Sequence, residues 1–153
     1  MELEQRIINI VRAPESEIWS LATVSEGKPW VRYVRGTIDD DLVLRIPTFM
    51  GTRKLFHIRA NPELHITLGS KDSTHHGSYL QIQAQAVISQ ADEDRRLAWS
   101  DRLEKWFADV NDPQYTVVRA TPYRIVICPI GRADPAEVWP GDCPARSVDA
   151  ILG

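Results

Sequence analysis

The sequence has little cysteine, no long apolar run and no surplus of positive charge, and each shortage removes a class of protein. Only Cys128 and Cys143 occur among 153 residues. Two cysteines without an export signal make no disulfide framework, so both are read as free thiols with no assigned chemistry. No stretch approaches the roughly eighteen apolar residues of a membrane-spanning helix. The opening MELEQRIINIVRAPESE lacks the basic-then-apolar order of a signal peptide. The expected compartment is therefore the cytoplasm, with no membrane partner. Eighteen Lys and Arg against twenty-one Asp and Glu give a net charge of −3, which offers nucleic acid no general attraction. Repeats and low-complexity tracts are also missing, while 43% apolar and 25% charged residues are ordinary globular values. No Ser/His/Asp order or paired carboxylates point to hydrolysis. A single domain over residues 1–153 is expected.

What is present alternates between periods of two and of 3.6 residues. Leu3, Ile7, Ile8, Ile10 and Val11 predict an amphipathic helix within residues 1–13, closed by Pro14. IWSLATV and WVRYVRGTI flank a turn containing Gly27 and Pro29 and predict a hairpin. Along the second strand Arg32 and Val34 share one face, and Val31, Tyr33 and Arg35 the other. LVLRIP follows the turn at Asp39–Asp41 as a third strand, in the manner of an antiparallel meander. GTRKLFHIRA predicts a helix that turns Leu55, Phe56 and Ile58 inward and stops at Asn61-Pro62. ELHITLG and SYLQIQAQAVIS predict two more strands, the second alternating Leu80, Ile82, Ala84 and Ala86 against Gln81, Gln83 and Gln85. DEDRRLAWSDRLEKWF predicts one long helix with Leu97, Trp99, Leu103, Trp106 and Phe107 on its apolar face. YTVVRATPYRIVICPI supplies one or two strands interrupted at Pro122, and residues 131–153, rich in Gly and Pro, form a mostly irregular tail. Six or so antiparallel strands with inserted helices describe a small α+β barrel.

The chemistry is concentrated in PTFMGTRK, residues 47–54. Phosphate recognition requires donors and positive charge around one oxyanion, best at a helix start where backbone N–H groups are free. Gly51 allows close backbone approach, Thr48 and Thr52 supply hydroxyls, Arg53 can bind two oxygens at once and Lys54 adds a compact charge. Arg32 reaches the same point if the second and third strands pair. The alternative is a helix capped by Thr52 with Arg53 and Lys54 solvated. His75-His76 is assigned no metal, because adjacent side chains diverge and no further ligand stands at a recognisable spacing. His57 and His65 read as hydrogen-bonded structural residues. Among five tryptophans, Trp99 and Trp106 sit at core spacing, which leaves Trp30 and Trp139 as pocket or interface candidates.

ATVSEGKPWVRYV, PTFMGTRKLFHIRANPELHI, YLQIQAQAVIS and WFADVNDPQYTVVRATPYRIVI, taken in order and spacing, resemble the flavin-binding split-barrel proteins related to pyridoxamine 5′-phosphate oxidase. The resemblance is nearest to their general stress branch and spans roughly residues 15 to 130. It implies a six-stranded antiparallel split β-barrel of the FMN-binding, Greek-key type with flanking helices. It also implies an FMN cofactor held by Arg32, Tyr33, Val34, Pro47, Thr48, Thr52, Arg53 and Lys54. The expected assembly is a homodimer with the flavin between subunits, acting as an oxidoreductase on a small molecule or electron donor. The sequence departs from true pyridoxamine-phosphate oxidases at Thr37, where the family places a substrate lysine, and at Cys128, where it places a tryptophan; the closing Arg-x-His segment is absent. A family glutamine that touches the flavin falls near Tyr79 or Gln81. The alternatives are a non-catalytic flavin-binding or stress-related module, or a relative that binds deazaflavin F420 or haem, the last looking to His75 or His76 as ligand.

Overall fold

Glu26 and Gly27 both take positive φ, 53° and 74°, the conformation that a two-residue turn of primed type requires. They close β1 (Trp19–Ser25) onto β2 (Lys28–Val34), with Leu21 opposite Arg32 and Thr23 opposite Trp30. The computed structural model describes residues 2–70, 77–130 and 136–141. Its remaining elements are α1 (Leu3–Arg12), β3 (Thr37–Ile38), β4 (Leu44–Phe49), α2 (Arg53–Ala60), β5 (Glu63–Gly69), β6 (Ser78–Ser89), α3 (Asp92–Ala98), β7 (Tyr115–Pro129) and β8 (Glu137–Trp139). Short 3-10 turns cover Pro14–Ser16 and Asp101–Lys105. The loop carrying His75 and His76, and Cys143, lie outside the described residues. No helix among the described residues is long and apolar enough to cross a membrane.

All strand pairs are antiparallel. The order is β2-β1-β5-β6-β7-β4-β3, with β8 added to β7. The sheet is the expected split barrel with two short strands beyond the six, and it is not closed: β2 and β3 end the path at opposite edges. The expected meander is corrected here, because β2 does not pair with β4. Gly36 gives the reason. A Cβ there would stand 2.5 Å from the Trp19 ring and 2.7 Å from the Arg45 carbonyl, so the chain leaves the hairpin by crossing directly over buried Trp19.

Three other expectations change. Pro122 does not interrupt its strand: Ala84 pairs with Pro122 and Gln83 with Arg124, so Tyr123 is an extra residue in a bulge. That is how a central strand accommodates a residue without an N–H. The bulge also divides β7 into a segment paired with β4 and a segment paired with β8. The long helix breaks after Ala98, because Trp99 and Ser100 are extended (ψ 139° and 159°). The break turns Trp99 edge-on to Tyr115 at 5.4 Å and lets Leu103 and Phe107 close a small second core with Ala98, Tyr115 and Val117. Trp106 is left 60% exposed. Phe56 is likewise exposed, so α2 turns only Leu55, His57 and Ile58 inward. The tail contributes one strand, held to α1 by Arg6 and Glu137, whose two contacts are 2.8 Å each, and by Trp139 Nε1 donating to Glu4 at 3.2 Å.

The main core lies inside the curved sheet. Ile7, Ile8 and Val11 of α1 and Leu55 and Ile58 of α2 cover Leu21, Leu44, Ile46, Ile66, Leu80, Ile82 and Ile125. The predicted alternation in β6 holds, with Leu80, Ile82, Ala84 and Ala86 buried.

Candidate functional site

Although β2 and β4 share no hydrogen bonds, the curvature of the sheet brings their ends to one cavity of about 370 Å³. Tyr33, Val34 and Arg35 line it from β2, Pro47, Thr48 and Phe49 from β4, and Thr52 and Lys54 from the start of α2. Ile18, Arg102, Leu103, Trp106 and Phe107 complete it. Gly51 takes φ +80° with open space where a Cβ would stand. The positive φ swings the chain into α2, and no protein atom stands where a side chain would project.

The helix-cap alternative fails on geometry. Thr52 stands at the N-cap of α2, but its side chain makes no capping bond. Its Oγ1 instead lies 3.3 Å from Thr48 Oγ1, so the two hydroxyls stand side by side at the mouth of the helix. Lys54 is half-buried next to them, and burial, then Arg32, lower its pKa. Burial and Arg53 lower that of Arg32. None of the ion pairs found among the described residues includes Arg32, Arg53 or Lys54. Three cations thus share one region with no ion-pair partner found among the described residues, and their mutual repulsion contributes to the lowered pKa values of Lys54 and Arg32.

Six of the eight predicted residues line the cavity: Tyr33, Val34, Pro47, Thr48, Thr52 and Lys54. Arg53 turns away and stacks over the Trp30 ring, 5.3 Å from its centroid. Arg32 turns inward, donating through Nη1 to Thr23 Oγ1 at 2.8 Å, with Nη2 3.3 Å from His57 Nδ1. Neither cation is among the residues that line the cavity, and both add positive charge beside it. The aromatic wall was missed from the sequence. Phe49 meets Phe107 at 4.6 Å and Trp106 edge-on at 6.3 Å; Phe107 is the core residue its spacing predicts and lines the cavity as well, whereas Trp106 leaves the predicted core face for the surface. Arg35 and Arg102 were missed as well; Arg35 donates to Glu17 at 2.5 Å, and burial and Arg35 lower the pKa of Arg102. Tyr79, Gln81 and Cys128 do not line the cavity. Tyr79 pairs with Cys128 across β6 and β7, and the Cys128 thiol donates to Gln81 Oε1 at 3.6 Å.

The fold is thus an open antiparallel split barrel whose cavity gathers two hydroxyls, a lysine and an aromatic wall. The sequence profile described as Pyridoxamine 5'-phosphate oxidase matches residues 9–127, and the chain belongs to that family. It is 29% identical over 137 residues to General stress protein 26 of Bacillus subtilis, an alignment spanning 90% of this chain and 96% of that one. The crystal structure of General Stress Protein 26 from Bacillus anthracis superposes with a TM-score of 0.73 at 26% identity, covering 84% of this chain and 95% of that one. A heme binding protein from Mycobacterium smegmatis shares the fold at a TM-score of 0.70 and 14% identity, covering 90% of this chain and 57% of that one.

Proposed function

We propose that this chain binds FMN and serves as an FMN-dependent oxidoreductase on a small molecule. The observation that carries the proposal is the pair of apposed hydroxyls, Thr48 and Thr52, beside half-buried Lys54, with no ion pair found among the described residues to Lys54, Arg32 or Arg53. Thr48, Thr52, Lys54 and the open N–H groups of α2 would hold the phosphate. Phe49, Trp106 and Phe107 would face the rest of the cofactor and keep water from it. When bound, the isoalloxazine supplies the acceptance and return of electrons, so the chain need contribute only binding, orientation and exclusion of solvent.

The homodimer belongs to the same proposal. Val31 and Tyr33 of edge strand β2 are 68% and 79% exposed, and Trp30, Phe49 and Trp106 are exposed near the cavity. Exposed apolar side chains on edge strand β2 and beside the cavity fit burial against a second copy. The fold shared with the mycobacterial protein raises a haem reading as the alternative: the described lining residues include Tyr33 but no His, Cys or Met, and His75 and His76 lie outside the described residues.

An absorbance spectrum of the purified protein, repeated after addition of FMN and desalting, tests the proposal. The expected result is a two-band flavin spectrum that survives desalting, from a particle of twice the chain mass by light scattering. A colourless protein in both tests would sink the flavin claim and leave the barrel standing.

A further inference from the structure

Arg32 is the cation of the site whose donors are already partly committed. Its Nη1 donates to Thr23 Oγ1 at 2.8 Å, to the Trp30 carbonyl at 3.1 Å and to the Leu21 carbonyl at 3.3 Å. Its Nη2 lies 3.3 Å from His57 Nδ1, and Thr23 Oγ1 stands 2.7 Å from that same nitrogen. Thr23 and His57 are both buried. A guanidinium has donors only, so the imidazole nitrogen that faces it must accept. The His57 proton therefore sits on Nε2, and the Thr23 hydroxyl accepts from Arg32 and donates to Nδ1. The chain of bonds has one consistent direction, from Arg32 through Thr23 to His57.

That arrangement leaves one edge of the guanidinium over. None of the hydrogen bonds found among the described residues uses Arg32 Nε. A guanidinium anchored at Nη1 retains Nε–H and an outer N–H of Nη2 as a parallel pair, at the spacing that two oxygens of one phosphate accept. The surroundings keep the imidazole neutral. Burial, then Arg32 and Arg53, lower the His57 pKa, and the Trp30 ring lies 5.6 Å from the imidazole between centroids.

We infer that Thr23 and His57 form a positioning pair that fixes Arg32 by its Nη1 end, reserves its Nε–Nη2 edge for a phosphate monoester, and so sets a preference for FMN over unphosphorylated riboflavin. The inference rests on the FMN reading above and adds two residues that neither local sequence pattern nor the cavity lining contains.

The test combines a measurement on the protein without flavin and a binding series. Nitrogen NMR of 15N-histidine-labelled protein at neutral pH should show His57 with unprotonated Nδ1; a protonated Nδ1 would overturn the inference directly. Dissociation constants for FMN and for riboflavin are then compared in wild type, Thr23→Val, His57→Leu and His57→Asn. Thr23→Val and His57→Leu should weaken FMN by at least about tenfold while riboflavin binding is unchanged, because only the phosphate depends on Arg32. His57→Asn, whose amide oxygen can stand where Nδ1 stood, should retain the wild-type ratio. Parallel loss of both ligands would mean a purely structural role, and unaltered FMN binding in Thr23→Val, which keeps its shape even where His57→Leu does not fold, would remove the pair while leaving the FMN reading intact. If wild type binds neither ligand, the FMN reading falls and this inference with it.

Discussion

Two groups of arginines and lysines in this molecule have opposite surroundings. Around Arg45, whose side chain is 8% exposed, every charge is answered: Asp94 accepts from Nε at 2.7 Å and Asp39 from Nη1 at 2.6 Å. Asp94 also accepts from Arg119 at 3.0 Å and from Ser89 at 2.5 Å. Those contacts tie α3 to β4, β6 and β7. Around Lys54, by contrast, Arg32 and Arg53 add charge of the same sign, and the hydroxyls of Thr48 and Thr52 bond to each other. A satisfied network spends its polar groups on the fold, whereas an unsatisfied one keeps them for something that arrives from solution. Charge spent on the fold is thereby told apart from charge left without an ion-pair partner among the described residues.

The largest expected effect lies in the satisfied network. Asp94→Ala leaves Arg45 buried against Asp39 alone and strands Arg119, and should destabilise the protein by about 3–5 kcal/mol. A loss below about 1 kcal/mol in urea unfolding would show that the network is decorative and break the comparison. The same carboxylates set an acid limit. Burial alone would raise the Asp94 pKa, but Ser89, Arg45 and Arg119 outweigh it and hold the group below its ordinary 3.8. Asp39 is lowered in the same way by Arg45 and by the backbone N–H groups of Val43 and Asp41. A carboxyl whose folded pKa is depressed contributes its full stability above the unfolded value and loses it as pH falls toward the folded one. Melting temperature should therefore be flat above about pH 5 and fall steeply below about pH 4, and Asp94→Asn should flatten the fall.

Next in size are the two cations of α2, which the structure makes unequal. Lys54 lines the cavity and Arg53 stacks on Trp30, so Lys54→Ala should weaken FMN by about 1.5–3 kcal/mol, ten- to a hundredfold. Arg53→Ala should weaken it by about 1 kcal/mol or less, the scale of an exposed cation–π contact and a screened charge. Calorimetric titration of both variants decides it. Equal losses would mean that Arg53 leaves Trp30 to join the phosphate.

How much of this the sequence discloses follows from chain distance. Thr48, Thr52 and Lys54 lie within one turn-and-helix start, so their meeting is local, and six of the eight lining residues that come from β2, β4, α2 and their ends were foreseen, Arg35 and Phe49 being the two that were not. The alternation of β6 and the Glu26–Gly27 turn are equally local. What could not be foreseen is set by long-range packing. The approach of β2 to β4 depends on the whole sheet curving between two edges that never bond. The aromatic wall depends on a helix breaking at Trp99 so that its ring can reach Tyr115, although the apolar spacing of residues 92–107 favours continuation. Arg32 looks like a ligand-facing residue along its strand, and only the arrival of His57 from α2 and Thr23 from β1 shows which end of the guanidinium is taken. Pro122 read as a strand end because nothing in the flanking residues announces the bulge at Tyr123.

The smallest effect is also the sharpest test of the contrast, because its sign reverses. In the satisfied network the charged forms stabilise the fold; at the cavity they should oppose it until an anion binds. Burial and Arg32 hold the folded pKa of Lys54 below its ordinary 10.5. Between the folded and unfolded values the unfolded chain binds more protons, so the apo protein should gain stability as pH rises toward that value, and charged Lys54 is a burden at neutral pH. Lys54→Met, which keeps all but the last atom of the side chain's length and removes the charge, should leave the apo protein equally or slightly more stable, by less than about 1 kcal/mol, at neutral pH and low salt. Added FMN should then stabilise wild type far more than the variant, since a ligand raises stability only in proportion to its affinity for the folded state. Thermal melts with and without FMN read both terms. If Lys54→Met lowers apo stability as Asp94→Ala does, the lysine is part of the fold's own network, and the division between satisfied and waiting charge does not hold in this molecule.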